Sequence, residues 1–90
     1  MLKLKQKPSF KKSLKKYKHK DKILEELEYV VSLLINEQPI PIKYRNHMLT
    51  GNYAGIMELH LRPDDLLLYI KIEQQSIILV ELGSHSDLFS

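Results

Sequence analysis

The apolar pattern changes period at Pro39-Ile40-Pro41, and that change limits which folds a 90-residue chain can reach. Before it, Ile23, Leu24, Leu27, Val30, Val31, Leu34 and Ile35 recur at three- and four-residue intervals, the repeat of one buried helix face. The two prolines end that helix. After them, residues 56–61 partly alternate, with Glu58 and His60 on one side and Met57, Leu59 and Leu61 on the other, as in a strand. Residues 66–72 and 76–82 read as two further strands, apolar on both faces in places. The turns before them are Pro63-Asp64-Asp65 and Glu73-Gln74-Gln75, and Gly51 and Gly55 bracket an earlier turn.

Upstream, Leu2-Lys3-Leu4-Lys5 alternates as a short strand. Ser9 is placed to cap a helix carrying Phe10, Leu14 and Tyr17 on one narrow stripe, and Asp21 to cap the longer helix that follows. The expected architecture is α+β: elements in the order β-α-α-β-β-β, forming a twisted, mainly antiparallel sheet packed by two helices. Residues 1–90 are expected to form a single domain.

Charge is as unevenly divided as periodicity. Residues 1–22 hold ten lysines and one acid, Asp21, a balance of +9, whereas the rest of the chain carries −6. The lysines lack glutamates at i,i+4, so they repel one another and suggest a phosphate-bearing partner. Lys11, Lys15 and Lys18 are the expected contacts. The alternative is a solvated helix beside a charged edge strand. With no cysteine, disulfide frameworks and thiolate metal sites are excluded. Apolar runs at 66–70 and 77–80 are too short to span a membrane, and no apolar h-region follows the lysines. A cytoplasmic protein with no membrane contact is expected.

Chemistry, if present, rests on histidine. His19 sits among lysines and reads as solvated surface. His47, His60 and His85 fall at strand or turn ends, accompanied by Asp64 and Asp65. Imidazoles, a carboxylate and cations suit RNA strand scission, in which a 2′-hydroxyl attacks the adjacent phosphate. One group takes the hydroxyl proton, another protonates the leaving 5′-oxygen, and a cation steadies the transition state. The nucleophile comes from the substrate, so neither a metal nor a cofactor is required. A metal site from His47, His60, His85 and Asp64 competes, without any HExxH helix pair in its favour. No Gly-x-Ser-x-Gly elbow, P-loop or dinucleotide fingerprint occurs.

Three segments carry a family likeness. His-x-Leu-x-Gly at 47–51, His-x-x-Pro-Asp at 60–64 and Gly-Ser-His-x-x-Leu-Phe at 83–89, in this order and spacing, resemble the YafQ branch of the RelE toxin superfamily. The likeness covers nearly the whole chain and implies a toxin of a type II toxin–antitoxin system. It further implies a ribosome-dependent endoribonuclease that cuts messenger RNA without metal and assembles with a DinJ/RelB-like antitoxin. By resemblance, His47, His60, Asp64 and His85 match catalytic positions, with His85 as general acid, and Phe89 stacks on a splayed base.

By the same resemblance, many relatives carry arginine at the places of Met57 and Glu81, and often tryptophan at Asp65. Arg45 or Arg62 would then supply the cation, as substrate-binding residues. The alternative is a catalytically weak module that binds ribosome, RNA and antitoxin.

Overall fold

The computed structural model describes residues 1–89, among which lie five strands and three α-helices joined by short 3-10 turns. In chain order these are β1 (Lys3–Gln6), α1 (Pro8–Leu14), α2 (Asp21–Ile35), β2 (His47–Met48) and β3 (Met57–Arg62). β4 (Asp65–Ile72), β5 (Ser76–Gly83) and α3 (His85–Phe89) complete the fold. The sheet order is β1-β5-β4-β3-β2, with β1 parallel to β5 and every other neighbour antiparallel. The expected β-α-α-β-β-β plan is present, with β2 and α3 added to it. No helix among the described residues is long and apolar enough to cross a membrane.

Both helix starts differ from the capping read in the sequence. Lys7 occupies the cap position of α1, and Pro8 takes the first turn, where its missing N–H costs nothing. Ser9 is therefore inside the helix, and its Oγ donates to the Val80 carbonyl at 2.6 Å, tying α1 to β5. Lys20 occupies the cap position of α2, and Asp21 lies in the first turn, where its charge meets the positive helix end.

One connected core lies between helices and sheet. Phe10, Leu27, Val30 and Leu34 from the helical layer pack with Leu59, Leu67, Tyr69, Ile77, Leu79 and Leu82 from the strands. Strand alternation sends Glu58, His60, Leu66 and Leu68 to the other face, where they are buried as well. α3 lies against β5 and begins at a capping box. The Asp87 N–H donates to Ser84 Oγ at 3.1 Å, and the Ser84 N–H donates to Asp87 Oδ2 at 3.2 Å. A Cβ at Gly83 would meet the Asp87 Cβ at 3.1 Å, so glycine is what permits α3 to turn back this closely.

Buried Ser13 joins α1 to the sheet: its Oγ donates to the Phe10 carbonyl at 3.0 Å and accepts the Leu82 N–H at 3.0 Å. Ser13→Ala leaves that buried N–H without an acceptor and should cost about 1–3 kcal/mol in urea unfolding. An unchanged midpoint would show that the bond carries no stability.

Candidate functional site

The sheet face opposite the α2 side of the core assembles the four catalytic candidates. Antiparallel register sets His47 of β2 directly across from Glu58 of β3, and His60 follows two residues along the same face. The His47 and His60 rings stack with centroids 6.0 Å apart and planes at 28°. The register between β3 and β4 shifts between His60 and Arg62, and Asp64 follows in the turn. His85, on the first turn of α3, brings its ring to 6.0 Å from His60. Phe89 continues the row, 6.1 Å from His85 and 5.2 Å, edge-on, from Tyr53. His47, His60, His85 and Phe89 therefore form one file of rings, as a nucleotide-sized substrate would require.

Two carboxylates organise that file. Asp64 Oδ1 accepts both the backbone N–H of His85 at 3.0 Å and its ring Nδ1–H at 2.9 Å. The ring is held as an Nδ1–H donor, which leaves Nε2 as the atom free to exchange a proton. Glu58 is the second carboxylate, with its side chain only 6% exposed. Its Oε1 lies 3.0 Å from His60 Nε2 and 3.4 Å from His47 Nε2.

His47 Nδ1–H meanwhile donates to the Arg45 carbonyl at 2.6 Å. In a neutral His47 ring, a lone pair on Nε2 then faces a carboxylate oxygen across this gap. With His60 Nε2–H donating to Glu58, the buried Nδ1 of His60 is left without a partner among the described residues. The three ligand atoms of His47, Glu58 and His60 all lie within 4.8 Å of one another, a spacing that fits a metal ion.

Glu58 was visible in the sequence as the strand neighbour of His60, yet its place in the site was missed. Alternation alone does not distinguish a buried carboxylate from a solvated one. Tyr53 was missed too, because it lies on a 3-10 turn without a periodic signal. The competing metal set is only partly assembled: His85 and Asp64 pair with each other, while His47 and His60 share Glu58.

Exposed Arg45 and Arg62 line a pocket that also includes His60. Lys11, Lys15 and Lys18 stand exposed on the helical layer, and no ion pair or hydrogen bond among the described residues links them to the imidazoles. Of the two positions where the resemblance implies arginine, Met57 packs against the core and lies away from this face. Glu81 sits opposite Leu68, which itself sits opposite Glu58, so it shares the imidazole face. Asp65 accepts the Tyr17 hydroxyl at 2.9 Å, and burial together with this carboxylate raises the Tyr17 phenol.

The backbone N–H of His85, followed by its ring, holds Asp64 below the usual carboxylate range. A lowered folded value means that the interaction contributes above the unfolded value and is lost as pH falls through the folded one. The His85 amide proton, followed by NMR on acidification, should hold its shift down to about pH 4 and move only below it. A midpoint above that range would overturn the anchoring of His85 by Asp64.

With this geometry described, the chain can be set beside known proteins. The family model described as "Bacterial toxin of type II toxin-antitoxin system, YafQ" matches residues 2–90. The mRNA interferase toxin YafQ of Escherichia coli is 36% identical over 73 residues, covering 80% of this chain and 76% of that protein. A metal-bound toxin from Helicobacter pylori is 41% identical with TM-score 0.89, covering 99% of this chain and 100% of that one. The toxin of the Escherichia coli DinJ–YafQ complex is 28% identical with TM-score 0.86, and each chain is covered completely. The chain belongs to the YafQ family of bacterial toxins of type II toxin–antitoxin systems.

Proposed function

We propose that this toxin, acting as one domain over residues 1–90, is an mRNA interferase that cuts messages on the ribosome in the cytoplasm by acid–base chemistry. The observation that carries the reading is the file of three imidazoles whose two ends differ: Asp64 anchors one end and buried Glu58 the other. The family's toxins are named mRNA interferases, which supports the substrate class.

The gap between His47 Nε2 and Glu58 Oε1 is where the proton of the 2′-hydroxyl would go, since a proton there removes the repulsion of two facing acceptors. The 2′-oxygen then forms a bond to the adjacent phosphorus as the bond to the 5′-oxygen breaks. His85, protonated on both nitrogens and held through Nδ1–H by Asp64, gives its Nε2 proton to that departing oxygen. His60, between the two, holds Glu58 in place through its Nε2–H. Phe89 stacks on a base next to the cut. By charge complementarity, the lysines of α1 and its following turn meet ribosomal RNA or an acidic segment of a DinJ-like antitoxin.

Primer extension on messages from cells expressing the toxin should show discrete cuts. His85→Ala should reduce them by about 10²- to 10⁴-fold, the span of one positioned acid. Uncut messages with the wild-type toxin would sink the nuclease reading and favour a module that only binds.

A second reading places a divalent ion between His47, Glu58 and His60. It is supported by their mutual spacing and by the metal-bound relative. Cleavage by dialysed toxin with a chelator separates the two. Full activity under chelation supports proton transfer, whereas activity lost with the chelator and restored by zinc or copper supports the ion.

A further inference from the structure

Beside His60 lies a pocket of about 360 Å³ whose walls include Glu26, Lys43, Arg45, His60 and Arg62. Its acid is already occupied. Glu26 Oε1 takes Arg62 Nε at 3.2 Å, and Glu26 Oε2 accepts the hydroxyl of buried Tyr44 at 3.0 Å. Burial and this carboxylate push the Tyr44 phenol up to about 12, so it remains a donor and keeps Glu26 turned to the pocket floor.

Lys43 and Arg45 have no carboxylate partner among the described residues; the Lys43 ammonium instead lies 5.1 Å from the centroid of the Tyr44 ring. The pocket thus carries three fixed cations against one acid. Elsewhere the imidazole face presents Glu58, Asp64 and Glu81, none of them paired with a lysine or arginine among the described residues. The pocket is therefore where a phosphate can approach the imidazoles without meeting net negative charge.

One bond and one shared residue tie the pocket to the reacting groups. The Arg45 carbonyl is the acceptor of the His47 Nδ1–H, so Arg45 and the proposed base are held as one unit. His60 belongs both to the pocket wall and to the ring file.

We infer that the Lys43–Arg45–Arg62 pocket is a subsite for a phosphodiester of the RNA, specifically the linkage on the 5′ side of the nucleotide whose 2′-hydroxyl attacks. The polarity rests on the nuclease reading above. The leaving 5′-oxygen belongs to the 3′ neighbour and sits at the His85–Phe89 end. The preceding linkage then falls on the His47 side of the site, to which Arg45 is tied through its carbonyl.

Single-turnover cleavage on programmed ribosomes at subsaturating toxin tests this. One message carries the native linkage, and a second carries a neutral methylphosphonate on the 5′ side of the attacking nucleotide. A third carries the methylphosphonate one linkage beyond the cut on the 3′ side. The variant is Lys43→Gln with Arg45→Asn, because asparagine accepts the left-handed backbone of Arg45, whose φ is 47°. Lys43→Gln alone, at an exposed position, guards against a folding defect.

The 5′ methylphosphonate should slow the wild type about tenfold, the worth of a charged contact, and the double variant less than twofold. Lys43→Gln should fall between them. The 3′ substitution should slow wild type and variant equally. Equal slowing by the 5′ substitution in all three proteins would overturn the subsite while leaving the nuclease reading intact. No cleavage of the native message by the wild type would overturn that reading and the subsite with it.

Discussion

The carboxylate of Glu58, buried in the sheet and shared by imidazoles on two strands, is the constraint around which the rest is arranged. A buried charge needs partners that stay in place, and the antiparallel pairing of β2 with β3 supplies one of them by register alone. β2 has only two residues, so little else holds His47 in position beyond its bond to the Arg45 carbonyl. Asp64 performs the complementary task at the exposed end, where substrate and water reach His85. The middle of the site, Glu58 and His60, is thus buried, while His47 and His85 on either side of it are about half exposed.

Seven apolar residues at helical spacing were enough to read α2, and alternation sorted Leu59 and Leu61 from Glu58 and His60 correctly. β2 left no trace because two residues cannot display a period. α3 did have a signal, Ser84 and Asp87 in capping-box spacing, but a five-residue helix shows no apolar stripe. The cap positions shifted because Pro8 occupies the first turn of α1 and because an acid inside the first turn of α2 serves the helix dipole as well as a cap would. For the site, the histidines and Asp64 were legible as residue types at turn and strand ends, and the family motifs singled out the same positions. Glu58 was not, since its importance lies in burial, a property of the assembled sheet. Nor could the sequence separate Met57 from Glu81, which face opposite sides.

Charge division along the chain becomes charge division in space. The lysines of α1 and its following turn cover the outside of the helical layer, whereas the face that gathers the imidazoles is acidic apart from the cations around Arg45. Glu81 adds to this acidity, since it shares the face of Glu58. The turn after α1 reaches the corner of that face beside α3, where Tyr17 bonds Asp65 and the Lys16 charge acts on Asp87.

β5 lies between the earliest strand and β4, pairing with β1 in parallel, Lys3 against Ser76 and Gln6 against Leu79. Hairpins β3–β4 and β4–β5 can close from neighbouring segments, but β1 must wait until nearly all of the intervening chain exists. Such long-range parallel closure is slow. β5 also leads directly into α3, so the helix bearing His85 and Phe89 is docked by a strand whose second edge is the last to be covered. The order of assembly thus sets the His85–Phe89 helix in place only after the helical layer and the strands it rests on.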